Sequence, residues 1–121
     1  MTYDEFNEFC GALAATSHVV QWGGAHVWKV GGKVFSIGGW GEPDKPAITF
    51  KTSESNYRFL EDKPGYRPAP YLASRGMKWI QQYDAPASED EELKYYLNES
   101  YRIVSLGLTK KKQKELGLNQ G

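Results

Sequence analysis

Few side chains in this sequence are of the kind that break or make bonds. Cys10, His18 and His26 are its one cysteine and two histidines. A thiolate beside an imidazole would supply a nucleophile and its base, and the same residue types are zinc ligands. Neither pattern is completed. The histidines stand eight residues apart, one in an expected turn and one in an expected strand, and match no metal-ligand spacing. Cys10 falls on the apolar side of an N-terminal helix, where a thiol is buried and inert. The acids of "EDEE", residues 89–92, suit the positive end of a helix dipole without forming a paired acid and base. "GGK" at residues 31–33 lacks the Ser or Thr of a phosphate loop, since Val34 follows, and "GGWGEP" lacks dinucleotide spacing. The reading is therefore no enzyme, no metal and no cofactor.

What remains is basic charge mixed with aromatic rings. Lys63, Arg67, Arg75 and Lys78 fall in a stretch without an acid from 63 to 83, interleaved with Tyr66, Tyr71 and Trp79. Cations displace counterions from phosphates and aromatic faces stack on unpaired bases, so this mixture fits a DNA surface. The competing reading is a sheet edge kept soluble by charge, with Tyr71 and Trp79 packed inward. Lys29 and Lys33 flank the Gly31-Gly32 pair, where a wing would meet a phosphate backbone, although lysines beside turns are also ordinary surface. Lys110, Lys111 and Lys112 in "KKKQK" offer a third basic group, or a solvated C-terminal face. Lys plus Arg and Asp plus Glu both number 15, so only a local patch attracts a polyanion.

The elements that must hold these residues follow from spacing. Thr2 and Glu5 write a capping box ahead of Phe6, Phe9, Cys10 and Leu13, predicting a first helix. Glycines then crowd the stretch from 23 to 41, and "HVWKVGGKVFSIGGW" reads as a hairpin turning at Gly31-Gly32. That turn sets Val30 opposite Lys33, Lys29 opposite Val34 and Trp28 opposite Phe35, with His26, Trp28, Val30, Phe35 and Ile37 on one face. "GEPDKP" turns the chain into a third strand, "AITFK". Ser53 or Ser55 caps a short helix that ends before Pro64-Gly65. Pro68 and Pro70 permit at most an edge strand near Tyr71-Leu72, and "MKWIQQY" supplies a fifth strand. Ser88 with Glu91 predicts the cap of a long helix along Leu93, Leu97, Ser100 and Val104, and a short helix follows Gly107. The expectation is an α+β, two-layer fold in α-β3-α-β2-α order, an antiparallel sheet of about five strands with helices on one face and the other partly open.

A chain of 121 residues suits one domain, 1–121, with 40% hydrophobic residues for its core. A lone cysteine permits no internal disulfide and fits a cytoplasmic protein. The first twenty residues carry Asp4, Glu5 and Glu8 with no base, unlike a leader, and no apolar run is long enough to span a membrane. A monomer is expected.

Several phrases together carry a resemblance: "WGGAHVWKVGGKVFSIGG", "PGYRPAPYL", "MKWI" and "LKYYLNESYRIVSLGLTKKKQKEL". In this combination the chain resembles the MmcQ/YjbR family. The resemblance implies a two-layer fold similar to secretion chaperones and DNA binding of a double-wing type, without a catalytic motif. It directs attention to Lys29 and Lys33 on the hairpin, Arg67 in the proline loop and the Trp79 strand. The expected partner is DNA, through Lys29, Lys33, Arg67, Arg75, Lys78 and Lys110 to Lys112. The alternative is a protein-interaction module using the open sheet face or an edge strand, for which an exposed Trp22 or Trp40 would speak.

Overall fold

A computed structural model describes residues 1–42, 44–70 and 72–121. Tyr71, expected near an edge strand, lies outside the described residues. In chain order the elements are α1 (Tyr3–Gly11), β1 (Thr16–Gln21), β2 (Ala25–Val30), β3 (Lys33–Gly38), β4 (Ile48–Lys51), α2 (Glu54–Leu60), β5 (Tyr66–Pro68), β6 (Trp79–Gln82), α3 (Asp90–Leu106) and α4 (Lys110–Leu116). One-turn 3-10 helices stand at Ala73–Arg75 and Ala87–Glu89. The strands form one antiparallel sheet in the order β1-β2-β3-β4-β6-β5.

The expected two-layer α/β architecture is present, with six strands rather than about five. The added strand is β1, "TSHVVQ", read from sequence as the end of a helix and a turn. Its residues are exposed or half-exposed throughout, so it lacks the alternation that marks a strand with one buried face. The edge strand near the prolines is Tyr66–Pro68, just ahead of the expected position. Proline lacks a backbone donor, so an edge is the place for it.

Helix ends follow local chemistry in two of three expected cases. Thr2 and Glu5 exchange both capping-box bonds, and the Ser53 hydroxyl accepts from the Asn56 amide. Ser88 does not cap α3: a 3-10 turn over Ala87–Glu89 absorbs it, and the helix starts at Asp90.

The helices share one face of the sheet. Phe6 and Cys10 from α1, Leu60 from α2, and Leu93, Tyr96, Leu97 and Val104 from α3 close over Trp28, Val30, Phe35, Phe50 and Ile80. Burial of large side chains at roughly 1.5–3 kcal/mol each makes this cluster the main source of stability. The hairpin register begins as expected, Val30 opposite Lys33 and Lys29 opposite Val34. A β-bulge then intervenes, so Trp28 faces Ser36 and Phe35 is the extra residue. That insertion reverses the alternation beyond it. Ile37 consequently points away from Trp28 and joins Val27 on the second face.

The second face is less open than expected. Val27, Ile37, Thr49 and Gln81 form a row across four strands and are at most 2% exposed. Among the described residues, none from α1 to α4 belongs to the cluster on this face. Leu72, from the proline-rich segment after β5, packs with Val34 against Ala25, Val27, Ile37, Ala69 and Trp79. The segment doubles back on itself through bonds from the Ala73 amide to the Ala69 carbonyl and from the Met77 amide to the Leu72 carbonyl. Its prolines thus serve to turn the chain over the sheet. Exposure on this face is concentrated at β1, where Val19 is 37% exposed.

Candidate nucleic-acid interface

The strand register sorts the basic residues by position. Lys33 pairs with Val30 beside the β2–β3 turn, and Lys29 stands one step in, opposite Val34. Lys51 ends β4 opposite Trp79, and the Thr52 amide donates to the Lys78 carbonyl at 2.8 Å. Because β3, β4 and β6 are bonded side by side, the hairpin tip, the end of β4 and the start of β6 occupy one end of the sheet. Arg75 belongs to the 3-10 turn that precedes Lys78, closed by Gly76 at φ +78°.

Helix α4 is fastened to the same end. Gly31, at φ +56°, lies so close to it that a Cβ there would be 2.6 Å from Leu108 and 3.2 Å from Leu116. Within the basic run, Gln113 is the buried anchor: its amide donates to the Leu106 and Leu108 carbonyls, and its side-chain oxygen accepts from Asn119. Thr109 caps the helix by accepting from the Lys112 amide. Lys110, Lys111 and Lys112 are left exposed.

Seven of the eight cations expected to contact DNA therefore gather at one end: Lys29, Lys33, Arg75, Lys78, Lys110, Lys111 and Lys112. Lys51 joins them. Sequence reasoning placed it on a strand but had no means of knowing which strand ends were neighbours. None of these eight takes part in an ion pair among the described residues. Lys78 lies over the Tyr57 ring at 4.7 Å.

Arg67 does not join them. Its Nε donates to Gln81 Oε1 at 2.9 Å, and its guanidinium lies over the Tyr83 ring at 4.4 Å. It borders a cleft with Trp40, Glu42, Lys45 and Asp84 toward the other end of the sheet. Lys63 is bonded to Glu92, which raises its pKa above the ordinary lysine value. The interleaved aromatics are mostly core: Tyr66 is 3% and Trp79 5% exposed. Tyr66 accepts from the Gln82 amide, and burial pushes its hydroxyl above the usual tyrosine range. Neither ring is available to stack on a base.

Acids concentrate toward the other end of the sheet, although Glu54, paired with Arg58 at 3.2 Å, opens α2 just after Lys51, and Glu115 lies within α4. Asp90, Glu91 and Glu92 fill the first turn of α3, with Asp90 bound by the N-terminal ammonium at 2.8 Å. Met1 also borders clefts holding Asp44 and Asp84 on one side, Glu5 and Glu8 on the other. Helix α3 runs from there toward the basic end, where Leu108 meets the hairpin tip. Within a chain of zero net charge, basic residues thus predominate at one end of the sheet.

Groups that could have suggested catalysis are otherwise engaged. The Cys10 thiol is fully buried 3.5 Å from Ser36 Oγ, and burial pushes its pKa up to about 12, leaving no thiolate near neutrality. His18 and His26 touch each other at 3.1 Å rather than Cys10. Among the described residues no three His, Cys, Asp or Glu side chains are grouped to hold a metal, and no helix is long and apolar enough to cross a membrane.

The YjbR family model matches residues 11–103, most of the chain, from the end of α1 through most of α3. The chain belongs to the YjbR family. Among solved structures, a Deinococcus radiodurans protein with a DUF419 domain superposes with a TM-score of 0.82 at 24% identity, covering 99% of this chain and 91% of that one. A Pseudomonas syringae protein superposes at 0.62 with 17% identity, covering 85% of this chain and 98% of that one. At these identities the likeness is one of fold. No curated protein matches. The YjbR fold supplies the frame on which the basic end described above is placed.

Proposed function

We propose that this YjbR-family protein is a non-enzymatic DNA-binding protein that contacts phosphates through the basic end of its sheet. The observation that carries the reading is that Lys29, Lys33, Lys51, Arg75, Lys78 and the α4 lysines lie at one end of the sheet, with no ion pair among the described residues. The β2–β3 hairpin acts as a wing beside α4. Contacts are to phosphate rather than base edges, since lysines dominate and no helix is presented as a reader of the major groove. Affinity then falls steeply with salt and differs little between duplex sequences.

The test is a salt titration of binding to duplex and single-stranded DNA. Replacing Lys29 and Lys33 together by Gln reduces the slope of log K against log salt by about two units, at about 0.9 per phosphate neutralised. Lys45→Gln, at the opposite end, leaves it unchanged. An unaltered slope in the double variant removes the hairpin from the interface.

One observation favours a second reading, protein interaction through an edge strand. β1 has neither charge nor proline to discourage pairing, and Val20 and Trp22 are 54% and 52% exposed. An extended, uncharged segment of another protein would add there as a seventh strand. Such a partner slows amide exchange along β1, and Val20→Lys abolishes that protection without altering DNA binding. The roofed second face offers no comparable platform.

A further inference from the structure

Arg67 stands apart from the basic end, and its surroundings are built with more care than a solvated surface arginine requires. Its orientation is fixed from below. Gln81 is fully buried, its Nε2 donates to the buried Thr49 hydroxyl at 3.3 Å, and its Oε1 is thereby turned to accept from Arg67 Nε. The Tyr83 ring supports the guanidinium plane. Among the described residues the terminal nitrogens of Arg67 have no partner, and that edge borders a cleft of about 280 Å³.

The facing wall is equally constrained. Trp40 adopts φ +64° and its neighbour Trp22 φ +54°, left-handed backbone that bulky residues rarely accept. The Trp40 indole donates to the Trp22 carbonyl at 3.0 Å, and the two rings stand 6.2 Å apart. Below them the loop is drawn tight: the Lys45 amide donates to the Glu42 carbonyl at 3.0 Å, and a Cβ on Gly41 would fall 2.4 Å from the Lys45 carbonyl oxygen. Strain of this kind at Trp40, an exposed aromatic lining the cleft and held by Trp22, is a mark of a binding surface.

The charges select the ligand. Lys45 is paired with Asp84 at 3.3 Å, leaving Arg67 and Glu42 as opposite charges on one cleft with no ion pair among the described residues. The unpaired Glu42 carboxylate opposes a dianionic phosphate, whereas a molecule bearing both charges satisfies both Glu42 and Arg67. We infer that the cleft between Arg67, Glu42 and Trp40 binds a small zwitterionic amino acid with an apolar side chain. Its carboxylate takes the paired terminal N–H groups of Arg67, its ammonium meets Glu42, and its side chain lies on the Trp40 indole. The site lies away from the basic end and does not depend on DNA binding.

The experiment is a titration of the full chain with L-phenylalanine, read through tryptophan fluorescence at an excitation that phenylalanine does not absorb. N-acetyl-L-phenylalanine lacks the ammonium and L-phenylalaninamide lacks the carboxylate. A saturable response to phenylalanine is expected, weakened about ten-fold or more for either derivative, and likewise in Arg67→Lys and Glu42→Gln. Glu42 is exposed, so its variant keeps the fold even if Arg67→Lys loosens the Gln81 contact. The inference is overturned by the absence of a saturable response, by a derivative that binds as well as phenylalanine, or by undiminished binding to Glu42→Gln.

Discussion

Side chains that looked chemical in the sequence are joined in a structural chain. The Trp28 indole donates to Asn7 Oδ1 at 2.9 Å, which turns the Asn7 amide nitrogen toward His26 Nδ1, and His18 Nε2 lies 3.1 Å from the same Nδ1. The chain ties α1 to β1 and β2, and His18 stacks on Trp28 at 4.8 Å. Desolvation, then the neighbouring His26, hold the His18 pKa below its ordinary 6.5. The folded protein therefore takes up this proton less readily than the unfolded chain. Stability is whole above the ordinary value and declines as pH falls below it toward the depressed one. Thermal melts at pH 7.5 and 5.5 check the sign: the melting temperature falls with acidity more in the native chain than in His18→Gln. Equal falls would show that His18 is not the group responsible.

At the scale of elements, the bulge in β3 explains what the sequence concealed and why a serine sits in the core. Where β3 and β4 part, the buried Ser100 hydroxyl of α3 donates to the Phe35 carbonyl and accepts from the Lys51 amide at 3.0 Å. One side chain thus satisfies a group on each of two strands and fixes α3 against them. Ser100→Ala leaves both without this partner and costs about 1–3 kcal/mol, the penalty for unsatisfied buried polar groups. Urea unfolding with an unchanged m-value measures it, and a loss within about 0.5 kcal/mol of zero, as for a surface change, would refute the role. The helices and the tip of the hairpin were legible because caps, periodicity and a two-glycine turn are local signals. Ile37 and β1 were not. A bulge is an insertion relative to a partner strand, and an exposed edge strand carries no buried face to reveal it.

At the scale of the molecule, zero net charge conceals a separation that composition cannot express. The lysines of the hairpin and the "KKKQK" run could be read as basic, but their meeting depends on α4 docking beside Gly31, a long-range contact with no sequence signature. Arg67 misled for the same reason: it is near Arg75 in sequence and faces a different cleft. Helix α3 connects the two charged regions, and its 17 residues at about 1.5 Å each give roughly 25 Å. That exceeds the screening length of about 10 Å at 0.1 M salt, so each end acts on its surroundings independently of the other. The expected consequence is retention at neutral pH and about 0.1 M salt on both sulfonate and quaternary-amine resins, a behaviour that a neutral protein of evenly mixed charge does not show. Substituting Lys29, Lys33 and Lys110 by Gln lowers the salt needed for elution from the sulfonate resin while strengthening retention on the amine. A native protein that flows through both resins, or a variant that shifts on neither, would mean that the two ends do not present separate fields and would remove the electrostatic basis for phosphate contact.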